Sequence, residues 1–143
     1  MLKKISQLSK LPFKEIIYLF PAFLLLSVSK LAIVLLPFNF LQKYFQIVTQ
    51  NHQHILVADS EIELKANSIN RISSAFQFLK FSCLPKALAL KFWLKKYEGI
   101  SVNFGVQKDH QNQFIAHAWV SNCDKIILGD HPNINYKSIW VWK

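Results

Sequence analysis

The hydrophobic period of this chain changes at Gly99, and that change limits the fold more than any other feature. Between Cys83 and Tyr97 apolar residues recur every three or four positions, which predicts a helix that Ser82 caps and Gly99 ends. From Ile100 onward apolar and polar residues alternate, which predicts half-buried strands over residues 100–107 and 114–120, with a third short strand over 126–128. A helix followed by three strands with short turns predicts an α+β fold in which an antiparallel meander packs against the helix.

Another helix is predicted before this unit. Ser60 and Glu63 have the spacing of a capping box, in which each side chain satisfies a free backbone N–H of the other residue. Apolar residues follow at helical spacing, so we predict a helix from about Glu61 to Phe78. The chain then divides into an N-terminal helical apolar region, residues 1–58, and a second domain, residues 59–143.

The N-terminal segment Ile16–Phe38 is largely apolar and follows several lysines, as a signal peptide or a membrane span would. Pro21 and Lys30 lie inside the run, however, and no small-residue cleavage site follows it. We therefore favour a pair of helices within the fold, broken near residues 27–30 or at Pro37. The remaining alternative is an apolar helical surface that docks on a membrane face or on a partner protein, and the sequence leaves these two occupants open.

The composition excludes some function classes. The net charge is +9, but Arg71 is the only arginine, whereas specific nucleic-acid readers usually depend on arginine. The lysine excess suits solvation of an apolar protein, an anionic membrane face or an acidic peptide partner. Two cysteines are too few for a disulfide scaffold, which favours a reducing compartment. His52 and His54 lack a third nearby ligand, so we predict no metal site there.

Three residues in the second half of the chain are candidates for nucleophilic catalysis. Cys83 begins a predicted helix, where the helix dipole and unpaired backbone N–H groups favour a thiolate and can stabilise an oxyanion. His117 lies within a predicted strand and Asp130 follows the next one, within reach of the second imidazole nitrogen. Each residue alone has an ordinary structural explanation, but a cysteine, a base and a carboxylate together are the parts of a cysteine hydrolase.

The sequence around these residues supports the catalytic interpretation. The three stretches that carry the pattern are Cys83-Leu84-Pro85-Lys86-Ala87-Leu88-Ala89-Leu90, Phe104-Gly105-Val106 and Phe114-Ile115-Ala116-His117-Ala118-Trp119-Val120. In their order and spacing they resemble the lasso-peptide leader peptidases, which are transglutaminase-like cysteine proteases of ribosomal peptide maturation. The resemblance covers roughly Ser82 to Asp130.

This resemblance implies a transglutaminase-like, papain-type fold with Cys83 as the nucleophile and His117 as the general base and acid. Asp130 would be the third catalytic residue, with Asp124 as its competitor. The implied reaction is cleavage of a precursor leader peptide through a thioester that water hydrolyses, with no cofactor or metal. The implied partners are the precursor, a separate leader-recognition protein and a macrolactam synthetase. The implied location is the cytoplasm, with a peripheral membrane contact as a further expectation. A non-catalytic or membrane-attached binding module on the same fold is the alternative.

Overall fold

The computed structural model describes residues 13–50, 59–108, 112–123, 125–130 and 137–142. Helices make up the first part of the chain. They are α1 (Phe13–Leu35), α2 (Phe38–Gln50), α3 (Asp59–Ala75), a short 3₁₀ helix (Gln77–Leu79) and α4 (Cys83–Trp93). Four strands follow: β1 (Ile100–Lys108), β2 (Phe114–Asn122), β3 (Lys125–Leu128) and β4 (Lys137–Trp142).

The N-terminal apolar segment forms two helices, and one of the two predicted break points is correct. α1 continues through Pro21 and through residues 27–30 without interruption. The chain breaks at Pro37, whose carbonyl accepts hydrogen bonds from the backbone N–H groups of Phe40 and Leu41 at 2.9 and 3.1 Å. Pro37 therefore stands at the start of α2, where its missing N–H costs no helical hydrogen bond.

The two later helices are shorter at their C-terminal ends than predicted. α3 stops at Ala75, and the 3₁₀ helix that follows it ends at Leu79, with Lys80 as its C-cap at a left-handed φ of 47°. α4 starts at Cys83 as predicted but ends at Trp93, four residues before Tyr97. Helix propensity and apolar spacing do not determine where a helix ends, because tertiary packing overrides them at helix termini.

The sheet confirms the predicted meander and adds a strand to it. β1 and β2 pair antiparallel from Ile100 opposite Asn122 to Lys108 opposite Phe114, and β3 pairs antiparallel with the outer side of β2. β4 was not predicted and pairs antiparallel with the other side of β1, so the strand order is β3-β2-β1-β4. The α+β class with an antiparallel sheet is thus as expected.

A hydrophobic core joins the helices to one face of the sheet. α4 contacts α1 and α3 on one side and strands β1 and β2 on the other. Its fully buried residues Leu88, Leu90 and neighbouring Leu94 contribute to the same cluster as Leu26 of α1 and Val120 of β2. The boundary predicted after residue 58 lies outside the described residues and stays a prediction, although α1 shares its core with the later elements.

α1 has two different faces. The two charged side chains of α1 that the structure describes both contact the rest of the protein. Glu15 pairs with Arg71 of α3, and Lys30 donates a hydrogen bond to the carbonyl of Leu79. The opposite face is apolar and exposed. By length and composition, Glu15–Leu35 is the one segment of the described chain that would suffice to cross a membrane, with a mean hydropathy of 2.1.

Candidate active site

Cys83 is the first residue of α4. Ser82 precedes it in an extended conformation, with φ of −72° and ψ of −179°, and occupies the N-cap position that the sequence predicted. The Ser82 side chain makes no capping hydrogen bond, however. The free N–H groups of the first helical turn are therefore not satisfied by the usual side-chain cap beside the thiol. Cys83 is half-buried and is not part of a disulfide.

His117 is buried in the middle of β2, and a hydrogen bond fixes its orientation. Its Nε2 lies 2.7 Å from the carbonyl oxygen of Gly129, just after β3. A carbonyl can only accept, so Nε2 carries the proton and donates it, which makes Nδ1 the basic nitrogen of the neutral ring. The ring also stacks on Trp119, with centroids 6.1 Å apart and planes 15° from parallel. The sheet thus supplies an imidazole with a defined tautomer and a defined orientation.

Gly129 is the residue whose backbone holds His117, and sequence reasoning did not identify it. Its φ is +85°, and a Cβ at this position would lie 3.1 Å from the carbonyl oxygen of Ala118. Both the left-handed backbone and the close approach require glycine. The available signal was a glycine at the end of a predicted strand, immediately before Asp130.

Of the two candidate carboxylates, the structure describes Asp130 but not Asp124. Asp130 follows Gly129 directly and is exposed. It therefore lies one residue along the chain from the carbonyl that binds the His117 ring, and its role as the third catalytic residue stays a prediction. Asp124 lies outside the described residues, as do His52 and His54. Across the segments that are described, no group of three or more His, Cys, Asp or Glu side chains is arranged to hold a metal ion.

A cavity of about 290 Å³ is lined by both Cys83 and His117. The first turn of α4 and the middle of β2 therefore border the same space. The rest of its wall is apolar and comes from α2, α4 and three strands. The other lining residues are Phe38, Leu84, Phe104, Gly105, Val106, Ala116, Ala118, Ile139 and Trp140.

Three aromatic rings form one side of this cavity. The ring centroid of Phe104 lies 5.7 Å from that of Trp140, and Phe38 lies 6.1 Å from Trp140 and 6.5 Å from Phe104. Such edge and tilted contacts stabilise aromatic clusters beyond the burial of their area. Sequence reasoning missed this wall because it depends on β4, which was not predicted, and on a contact between residues about a hundred positions apart.

The helix that carries Cys83 is anchored at its other end by a buried lysine. Lys91 is almost fully buried, and its Nζ donates a hydrogen bond of 2.6 Å to the carbonyl of Ile100, the first residue of β1. Burial lowers the pKa of Lys91 from 10.5 to about 8, because the charged ammonium loses hydration there. This bond ties the C-terminal end of α4 to the first residue of β1.

Comparison with known proteins gives one match. A family model described as "Transglutaminase-like superfamily" matches residues 32–141, which include Cys83, His117, the first three strands and all but the last residue of β4. No curated protein and no solved structure gives a significant match.

Proposed function

The chain belongs to the transglutaminase-like superfamily, and from this premise we propose that it is a cysteine peptidase that removes the leader from a ribosomally synthesised precursor in lasso-peptide maturation. The superfamily includes cysteine-dependent enzymes and, among them, cysteine proteases. The observation that carries the proposal is the cavity that Cys83 and His117 share, with the imidazole oriented by the Gly129 carbonyl.

The proposed reaction uses each of these groups in turn. Nδ1 of His117 takes the proton of the Cys83 thiol, and the sulfur attacks the carbonyl carbon of the scissile peptide. The N–H groups at the start of α4 stabilise the oxyanion. The imidazolium then gives its proton to the leaving amine, and a thioester remains on Cys83. His117 next takes a proton from water, the hydroxyl adds to the thioester, and the released thiolate regains a proton.

The choice of a leader peptide as substrate is based on the resemblance of the Cys83 helix and the His117 strand to the lasso-peptide leader peptidases. We propose three partners on the same basis: the precursor peptide, a separate protein that recognises its leader, and a macrolactam synthetase that receives the product. We propose a cytoplasmic location on the same basis, with which the free thiols of Cys83 and Cys123 agree.

The test compares two cysteine variants. The purified chain is incubated with a cognate precursor and its recognition protein, and the products are identified by mass spectrometry. Cys83→Ala should abolish cleavage, whereas Cys123→Ala, which removes the exposed cysteine, should retain it. Cleavage by the Cys83→Ala protein would contradict the proposal.

The same experiment separates hydrolysis from two other outcomes. In water labelled with ¹⁸O, hydrolysis places the label in the new carboxyl group of one product, while transfer to an added amine gives an amide without it. A binding module without catalytic activity is the second candidate, and the exposed apolar face of α1 favours it. For such a module, Cys83 would show no reaction with iodoacetamide at mildly acidic pH, where a thiolate paired with an imidazolium reacts.

A further inference from the structure

We propose that the cavity beside Cys83 receives a large apolar side chain of the substrate, next to the bond that is cleaved. This inference rests on the proposed peptidase function and adds the kind of residue that the site selects. Apart from Cys83 and His117, the side chains around the cavity are apolar. A charged or amide side chain would lose its hydration there without gaining partners, which is costly.

The size of the cavity suits one side chain. Its volume of about 290 Å³ lies at the lower limit of pockets that bind small molecules. Phe104 and Trp140 form a ring wall with Phe38, and Leu84 contributes from the first turn of α4. An aliphatic or aromatic side chain would contact this wall on several sides while its own backbone remains at the thiol.

A β-bulge shapes the cavity. Phe104 pairs with Trp140, but the next residue of β1, Gly105, pairs with Ser138, so the pairing skips Ile139. In a regular strand, consecutive side chains point to opposite faces. Ile139 and Trp140 lie at this irregularity, and both line the cavity. Bulges that turn an additional side chain toward a site are common beside active sites.

Dipeptidyl chloromethyl ketones test the inference, because attack by Cys83 forms a carbon–sulfur bond and releases chloride. The residue next to the ketone, or the one before it, is varied among Leu, Phe, Ala, Asp and Lys. At one of the two positions we expect probes that carry Leu or Phe to label Cys83 at least about tenfold faster than probes that carry Asp or Lys. Ile139→Ala should reduce that ratio, whereas Val141→Ala should leave it unchanged. Val141 is an exposed apolar residue of the same strand outside the cavity lining.

The outcomes distinguish this inference from the proposed function. Equal labelling of Cys83 by apolar and charged probes would overturn the inference and leave the peptidase intact. An unchanged preference in both Ile139→Ala and Trp140→Ala would also overturn it, with circular dichroism showing that both variants fold. If no probe labels Cys83 although the protein is folded, the peptidase proposal fails, and this inference fails with it.

We infer separately that the exposed face of α1 binds an anionic membrane surface, with the helix lying parallel to it. Large apolar side chains follow this face at spacings of three and four residues, which places them along one side of a helix. We call this face the α1 stripe: Phe13, Ile16, Ile17, Phe20, Leu24, Val28, Leu31, Val34 and Leu35.

The packing of α1 determines how it would meet a membrane. Ala22 and Leu26 on the opposite face are fully buried against the protein, and Lys30 and Glu15 are held by Leu79 and Arg71. Crossing the bilayer would break all these contacts, whereas lying in the interface would break none of them. A helix with one apolar face exposed and the other side fixed suits an interfacial position.

The positive charge of the chain favours an anionic membrane surface as the binding partner of the α1 stripe. The net charge is +9, and Lys3, Lys4, Lys10 and Lys14 precede or accompany the start of the stripe in the sequence. The single acidic residue between Phe13 and Leu35 is Glu15, which pairs with Arg71. Basic residues beside an amphipathic helix are attracted to anionic lipids.

Vesicle sedimentation tests this second inference. The whole chain should bind phosphatidylcholine vesicles that contain one third phosphatidylglycerol, and should bind pure phosphatidylcholine much less. Val28→Asp with Leu31→Asp should weaken binding at least about tenfold, because the charges enter the apolar interface. Phe114→Asp, on an exposed apolar residue of β2, should leave it unchanged.

Three results would overturn the membrane inference. One is equal binding by the stripe variant and the parent chain. Another is retention in the membrane after alkaline carbonate extraction, which would indicate a spanning helix. The third is absence of vesicle binding together with a dimer that the Val28→Asp, Leu31→Asp variant dissociates, which would assign the stripe to a second copy of the chain.

Discussion

The cavity beside Cys83 and the α1 stripe are both apolar and both reach the surface, yet they differ in origin. The cavity is concave, and residues of five elements line it, Cys83 and His117 among them. The stripe is convex, belongs to one helix, and has no reactive side chain among its members. Both surfaces are therefore apolar, and what distinguishes the proposed active site from the proposed docking surface is that several elements line it together with two potentially reactive residues.

The two surfaces also depend on different contacts. The cavity requires the pairing of β4 with β1 and the position of α4 against the sheet. The stripe requires only that α1 be helical and that its opposite face be packed. Variants that affect one surface should therefore leave the other intact.

The largest effect is expected from His117→Gln. Glutamine can still donate a hydrogen bond toward the Gly129 carbonyl but cannot act as a base, so the proposed proton acceptor of Cys83 is lost. We expect peptide cleavage, or labelling by an apolar chloromethyl ketone, to slow by about 10³-fold. Single-turnover rates measure this change.

Vesicle binding by His117→Gln should equal that of the parent chain, because the substitution leaves α1 unchanged. If His117→Gln loses vesicle binding while remaining folded, the cavity and the α1 stripe are coupled, and they do not depend on separate contacts.

The next largest effect separates the two faces of α1. Leu26 is fully buried on the packed face, and Leu26→Ala should lower the free energy of unfolding by about 3–5 kcal/mol, from lost burial and the cavity left behind. Urea titration followed by circular dichroism measures it.

Leu24→Ala is the matched control, since the same side chain is removed two residues away on the α1 stripe. It should change the free energy of unfolding by no more than about 0.5 kcal/mol. Similar losses for the two variants would show that the stripe is packed in solution, and would contradict its assignment as a free surface.

A third prediction concerns the anchor of the helix that carries Cys83. The lowered pKa of Lys91 means that the folded protein holds this proton less tightly than the unfolded chain does. Between pH 8 and 10.5 the unfolded state therefore binds more protons, and stability rises with pH through that range. Below pH 8 both states are charged and the full cost of burial is present.

Lys91→Met removes this dependence. The parent chain should gain roughly 2 kcal/mol more than Lys91→Met between pH 8 and 10.5. Urea unfolding of both proteins at the two pH values measures the difference. The contributions of the other titrating groups to the pH dependence are the same in both proteins and therefore cancel. Parallel stability profiles would show that Lys91 is hydrated, and would weaken its role as the anchor of α4.

Local patterns in the sequence predicted the elements on which two of the candidate site residues lie. Cys83 at a helix start and His117 within a strand follow from periodicity and turn residues, which are properties of neighbouring positions. Both lie in the predicted elements and both line one cavity. The meander was predictable for the same reason, because its strands are consecutive and its turns are short.

The remaining features depend on contacts that local patterns do not encode. The cavity wall joins Phe38 of α2 to Trp140 of β4, and β4 pairs with β1 rather than with its neighbour in sequence, β3. The partner of His117 is a backbone carbonyl, which every residue possesses, so no side-chain motif indicated it. Asp130, the carboxylate predicted as the partner of His117, is the residue directly after Gly129, whose carbonyl oxygen contacts the ring.

The smallest effect is expected from Gly129→Ala, and it tests whether that carbonyl matters to the site. Alanine at a φ of +85°, with its Cβ close to Ala118 and Trp119, should shift the turn and cost roughly 1–2 kcal/mol of stability. The carbonyl would then hold His117 less well, and we expect the labelling rate of Cys83 to fall by about tenfold.

Gly99→Ala is the matched control: its φ is +80° and its Cβ would meet Cys123, away from the cavity. It should show a similar loss of stability with a labelling rate close to that of the parent chain. Equal losses of rate in the two variants would mean that general destabilisation accounts for the effect, and would remove the Gly129 carbonyl from the description of the active site.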